Sequence, residues 1–284
     1  MNTVLRNPKP VKPQDGRALT FLYKNPLGRI LLRLLRSKWI SKSVGAFLNT
    51  RLSKLLINRF VENNNIDLSE YESDNFTCFN DCFCRKIKSG MRPIDGDENA
   101  LISPCDGLLS VYKISSGTIY PIKQSKYTVC SLLKNDALAD EFEGGYIYVF
   151  RLCVNHYHRY CYPASGTKGD NIHINGTLHT VRPIALKHTS VFCENSREYT
   201  VIDSDVFGKI VQIEVGAMLV GRIKNLHGVK RVKKGEEKGM FLYGGSTVIL
   251  LTKGNILPSP EFLKNTDDGF ETPVKLGENL LGNI

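Results

Sequence analysis

Residues 243–251 read YGGSTVILL, so a hydroxyl, Ser246, follows two glycines and opens an apolar, β-branched run. Glycine at position 245 leaves its own carbonyl sterically open and lets the backbone bend. A serine beside such a carbonyl could attack it, given a base to take its proton and a third group to orient that base. Two other segments offer those groups. SPCDG reads as the end of a strand with Asp106 in the following turn, and alone it is an ordinary turn aspartate. VNHYHRYCYP holds His156, His158, Arg159 and Cys161. On a strand, 156 and 158 would share one face, and 159 and 161 the other. A metal on His156, His158 and Cys161 would need a fourth ligand, and no metal is expected. GGST by itself is weak, because many loops contain it. Ser246, Asp106 and a histidine from 156–158 together are pointed.

The elements that must carry these groups follow from composition and rhythm. The chain has 284 residues, 42% hydrophobic and 23% charged, enough for a real core and unlike a disordered segment. No run approaches the roughly 18–20 apolar residues needed to cross a bilayer, and the first residues lack a secretory apolar segment. The expected location is therefore cytoplasmic. Eight cysteines fit free thiols in that compartment. CFNDCFC, with Cys78, Cys82 and Cys84, reads as buried small residues because paired metal knuckles are missing. Walker, G-x-G-x-x-G, G-x-S-x-G and H-E-x-x-H signatures are absent too.

The net charge of +10 is concentrated at one end. Residues 1–61 hold 13 Lys/Arg against one acid, Asp15, a balance of +12; the rest balances to −2. Leu27, Ile30, Leu31, Leu34 and Leu35 follow one helical face, with Arg29, Arg33 and Arg36 opposite. A second helix is expected from SKSVGAFLNTRLSKLLINRF, with Val44, Phe47, Leu48, Leu52, Leu55 and Leu56 as its apolar stripe and Trp39 between the two helices. Such an arm could pack on its own domain, lie on an anionic bilayer, or do some of each. Nucleic acid is not expected, since the basic residues alternate with Leu and Ile rather than with stacking aromatics.

After residue 65 the texture changes. A short helix is expected to end at Ser89-Gly90, and from about residue 100 brief apolar runs alternate with turn residues. VGAMLVG reads as a buried strand, KGEEKG as a hairpin turn, and the last 25 or so residues as a surface tail. The fold expected is α+β: amphipathic helices over 1–65, then a compact, mainly antiparallel β-rich catalytic domain over 66–284.

Six pieces in order, FNDCFCRKIKSGMRPID, SPCDG, YHRYCYPASG, NSREYT, VQIEVGAMLVGRI and KGEEKGMFLYGGSTVILL, resemble the phosphatidylserine decarboxylase proenzymes. The resemblance spans roughly residues 20–255. It implies a chain that cuts itself between Gly245 and Ser246: serine attack gives an ester, elimination gives dehydroalanine, and loss of ammonia leaves a covalent pyruvoyl group (pyruvate) at residue 246. It also implies a β chain of 1–245 and an α chain of 246–284 that stay associated, and a homodimer. The pyruvoyl group would act as electron sink while phosphatidylserine loses CO2 to give phosphatidylethanolamine. A two-chain lipid implies work at the cytoplasmic face of a membrane, peripherally.

One position departs from the family. Its motif D-Y-H-R-x-H uses the second histidine with Asp and Ser for cleavage. Here that place holds Cys161, the leading Asp is His156, and the first histidine, at the decarboxylation centre, is His158. The base is then His158, which is favoured, or His179, or Cys161 itself; otherwise cleavage is slow or absent. A pyruvoyl decarboxylase of a soluble amino acid and an uncleaved lipid-binding relative are the alternative functions.

Overall fold

A computed structural model describes residues 9–12, 17–25, 27–28, 38–115, 120–122, 125–177, 191–217, 223–243 and 246–282. The stretch expected as the first amphipathic helix lies largely outside these residues, as do the side chain of Trp39 and the whole of Gly244, Gly245 and His179. In chain order come α1 (Arg17–Lys24), α2 (Lys38–Leu48), a 3-10 segment (Arg51–Leu56), α3 (Ile57–Asn63) and α4 (Phe79–Phe83). There follow β1 (Gly107–Lys113), β2 (Tyr120–Ile122), β3 (Ser125–Tyr127), α5 (Val129–Leu133), α6 (Asp136–Asp140), β4 (Tyr146–Leu152) and β5 (Arg159–Cys161). Next are β6 (Gly166–Lys168), β7 (Ile172–Ile174), α7 (Val191–Glu194), β8 (Arg197–Ser204), β9 (Gly208–Val215) and β10 (Ile223–Asn225). The order closes with β11 (Lys230–Val232), β12 (Glu237–Phe241), β13 (Ser246–Thr252), α8 (Pro260–Asp267) and β14 (Thr272–Val274). Small helices followed by a β-rich body match the α+β expectation.

The main sheet runs β11-β6-β8-β9-β13-β4-β1-β14, with β7 also on β8, and its described pairs are antiparallel. A second sheet has the order β10-β12-β5. Strand β13 sits mid-sheet, and each of its seven residues is buried. Alternation puts Ser246, Val248 and Leu250 on one face. Register places Glu214 beside Val248 and Gln212 beside Leu250. Those neighbours bond to Lys238 and to the Cys161 carbonyl of the small sheet, so Ser246 shares the face turned toward that sheet. On the opposite face, Arg197 donates to the carbonyls of Ser131 and Leu132 in α5.

The expected second helix of the arm is broken. Asn49, Thr50 and Ser53 turn their side chains onto the carbonyls of Gly45, Phe47, Leu48 and Thr50, competing with helix continuation. The tighter 3-10 turn then changes the phase of the apolar stripe. Leu48 and Ile57 pack with Phe76, Phe79, Phe83 and Met240, with Val44 against them. Leu52 is instead 70% and Leu55 84% exposed, with Phe47 and Leu56 also exposed.

Three other expectations are corrected. Helix α4 stops at Phe83 rather than Ser89-Gly90, because residues 86–88 return to pair with 70–72. SPCDG precedes strand β1 instead of ending a strand. The last residues are no surface tail: β14 pairs with β1, and Phe262 and Leu280 are wholly buried. Their polar spacing disguised a segment that caps the open edge of β1. Leu280→Ala should lower stability by about 3 kcal/mol, as for other core truncations, whereas exposed Leu55→Ala should change it by less than ~0.5 kcal/mol. Urea unfolding of the two variants checks this; equal, small losses would restore the surface-tail reading.

Candidate active site

Ser246 opens β13 opposite Leu152, and its Oγ is buried with no hydrogen-bond partner among the described residues. A buried hydroxyl left unpaired costs roughly 1–3 kcal/mol and calls for a reason. The backbone leading toward it is clamped. Phe241 N–H donates to the His158 carbonyl (3.0 Å), and the Phe241 carbonyl accepts from Cys84 Sγ (3.2 Å). Tyr243 N–H donates to Asn80 Oδ1 at 3.2 Å, and its ring meets Phe79 and Phe83 edge-on at 4.9 and 5.3 Å. Helix α4 therefore grips the chain three residues before Ser246.

His158 lies just ahead of β5 and is fully buried. Its Nδ1 is 2.9 Å from the His156 carbonyl, which can only accept, so the ring hydrogen sits on Nδ1. The Nε2 lone pair is buried without a partner among the described residues. Burial, then the charge of Arg85, holds the imidazole well below its ordinary range, so it is neutral near pH 7. The Phe83 ring centre lies 3.9 Å from the imidazole centre, and Phe83 also meets Tyr243, three residues before Ser246 in sequence. The two orphan atoms are not hydrogen-bonded to each other.

Asp106 is engaged elsewhere. Its carboxylate accepts from Arg92 Nε (2.9 and 3.1 Å), Arg92 Nη2 (2.7 Å) and Leu276 N–H (2.9 Å). Arg92 in turn reaches Glu70 at 3.0 Å. The charge of Asp106 is felt at His156 and Cys161 but forms no bond to His158. Cys161 N–H donates to the Pro104 carbonyl at 2.8 Å, which places the residue beside the turn of Asp106. Burial pushes its thiol far above the usual range, so Cys161 is neutral and a poor base. His156 and His158 do not share a strand face, since β5 begins only at Arg159. The His156 ring accepts from Cys153 N–H at 3.1 Å, and Arg159 bonds the Cys84 carbonyl (2.7 Å) and Glu237 (2.8 Å). Among the described residues no group of three or more His, Cys, Asp or Glu is placed to hold a metal.

The family model for phosphatidylserine decarboxylase matches residues 79–282, which include each of these side chains except Glu70. The chain belongs to the phosphatidylserine decarboxylase family. It is 45% identical over 271 residues to phosphatidylserine decarboxylase proenzyme 2 of Clostridium acetobutylicum, covering 95% of this chain and 93% of that one. It is 42% identical over 274 residues to the phosphatidylserine decarboxylase proenzyme of Clostridium botulinum (94% and 93% covered). A protein of the same name from Clostridium perfringens is 42% identical over 269 residues, with 92% of each chain covered.

Within this decarboxylase family member, several contacts escaped the sequence reading. Asn80, Phe83 and Arg92 looked like loop and helix residues but hold the site. Glu214 and Lys238 form a wholly buried ion pair of 2.7 Å beside β13, completed by Asn225 (2.8 Å). Its visible signal was an acid inside the apolar run VQIEV, for which an isolated buried charge demands a partner.

The histidines set a pH dependence. His156, pushed down to about 4 chiefly by burial, and His158 stay neutral in the fold while their unfolded counterparts protonate near 6.5. The contribution of His156 is intact above about pH 6.5 and is lost as pH falls from there through about 4, and that of His158 is lost in the same direction. The denaturation midpoint should drop across that window, and His156→Gln and His158→Gln should each flatten the slope. Unchanged slopes in both variants would contradict the assignment.

Proposed function

We propose that this chain is a proenzyme that cuts itself between Gly245 and Ser246 and then decarboxylates phosphatidylserine to phosphatidylethanolamine and CO2. The observation that carries this reading is the pair of buried atoms without a partner among the described residues, Ser246 Oγ and His158 Nε2, the latter in a ring packed on Phe83, which also meets Tyr243 three residues before Ser246. His158 is the base: neutral, with a free lone pair facing no competing donor. It takes the Oγ proton as the oxygen attacks the carbonyl of residue 245. Ring geometries of this kind commonly tighten only as the reaction proceeds. Cys161, a neutral thiol, does not serve, and Asp106 with Arg92 stiffens the turn next to it.

Residue 246 also suits the group expected there. A pyruvoyl made from the serine adds no volume, and the position already holds an oxygen without a partner in a water-free setting. That group supplies an electron sink for the pair released with CO2. Burial throughout β13 supports a fixed direction and exclusion of bulk water, and His158 would hold or deliver a proton there. The severed pieces stay together, because β13 is hydrogen-bonded to β4 and β9 on its two sides.

Intact-mass measurement tests the cut. The native chain should give two masses, the smaller from residue 246 and blocked by a carbonyl in place of its amine. Ser246→Ala and His158→Ala should remain single chains, and Cys161→Ala should be cut at a rate within about threefold of native, a thiol that neutral contributing little as base. A persistent single native chain would falsify the proposal.

The lipid substrate calls for a membrane surface, and the broken arm supplies one. Phe47, Leu52, Leu55 and Leu56 are exposed among Arg51, Lys54 and Arg59, a pairing suited to insertion at an anionic interface. No described helix is long and apolar enough to cross a membrane. Co-sedimentation with phosphatidylserine-containing vesicles should weaken with salt. Replacing Leu52 and Leu55 by Ser together should cost about tenfold in vesicle binding. Equal binding to neutral vesicles would remove the electrostatic part.

A further inference from the structure

Arg85 is a buried cation with no carboxylate beside it among the described residues. Its guanidinium is committed largely to backbone carbonyls. One terminal nitrogen donates to Cys82 O at 3.2 Å; the other reaches Asn155 O at 3.0 Å, His156 O at 3.4 Å and Tyr71 Oη at 3.2 Å. The group also lies over the Tyr71 ring, 4.3 Å from its centre. Burying a charge without a counter-ion is costly, so its retention asks for an explanation. The carbonyl of His156 supplies one, because the same oxygen accepts the Nδ1–H of His158 at 2.9 Å.

We propose that Arg85 is the positioning residue of the cleavage base: it anchors the Asn155 and His156 carbonyls and sets a positive charge beside the ring, so that His158 keeps its hydrogen on Nδ1 and its lone pair on Nε2. This rests on His158 being the base of the reading above. The charged or titratable groups that bear on the ring are Arg85, from the segment after α4, and His156, from its own turn, while Phe83 covers the ring face. The consequence is a relay. Nε2 takes the proton from Ser246 Oγ as the new O–C bond forms to the carbonyl of residue 245. Arg85 makes the resulting imidazolium expensive to keep. The proton passes to the nitrogen of residue 246 as its bond to that carbonyl breaks, so no proton is gained or lost.

Nitrogen-15 spectra of histidine-labelled, uncut Ser246→Ala protein read the tautomer directly, with His158→Gln identifying the signal. The expected result is a ring protonated on Nδ1 that stays neutral well below the ordinary histidine range. In the Arg85→Met form, mixed tautomers and a higher midpoint are expected, and Arg85→Lys should restore the low midpoint. On the Ser246 background, cleavage followed by mass should slow about tenfold at pH 6.5 in Arg85→Met, with the acid limb moved to higher pH; Arg85→Lys should keep the native limb. Should Arg85→Met fail to fold, the spectrum of the arginine-containing protein decides alone: an Nε2–H ring, or one titrating near 6.5, overturns the proposal. A folded Arg85→Met protein with native tautomer and native acid limb overturns it too. Native-rate cleavage by His158→Gln would instead sink the base assignment, and the tautomer spectra would still judge the effect of Arg85 on the ring.

Discussion

Desolvation at the mouth of β13 governs this molecule. The strand is paired on both sides and covered on both faces, so water cannot satisfy the hydroxyl with which it begins. Among the described residues the surrounding sheets offer that oxygen no partner. Folding therefore buries a serine hydroxyl that has no partner among the described residues, at a cost of roughly 1–3 kcal/mol. Local hydrogen bonding at Phe241 and Tyr243 restricts how the preceding residues can relax.

Three carboxylate–cation clusters take up the acids near the site. Arg92 takes up Asp106 and Glu70, Arg151 pairs with Glu271, and Lys238 pairs with Glu214. Among the described residues none of these carboxylates bonds to His158. A carboxylate against that ring would favour the charged imidazolium, which cannot accept a proton. Cysteine at 161 fits this arrangement, since a small apolar thiol adds no charge to the same region.

Much of this was written in short-range patterns. The α+β class followed from turn punctuation and alternating runs, and Ser246 stood out through the glycines before it. His158 was favoured as base because it was close in sequence to the vacant histidine position. What stayed hidden depends on contacts between distant segments. Arg92 meets Asp106 across 14 positions, and Asn80 meets Tyr243 across 163. No local periodicity encodes such pairs. The final segment misled because its apolar residues are spaced for a strand edge and a helix, in a context of Asp, Gly and Pro. The arm misled for a different reason: heptad-like spacing says nothing about polar side chains that terminate a helix by capturing its carbonyls.

The position of β13 has a kinetic corollary. While the backbone is continuous, inserting this strand between β4 and β9 is an intramolecular event with a modest loop-closure cost. Were the backbone cut ahead of it, as proposed, the same insertion would become an encounter between two molecules, and recovery from denaturation would depend on dilution. A matured protein would then persist through slow unfolding, with no easy way back after it opens. Its lifetime would be fixed on the day it was made.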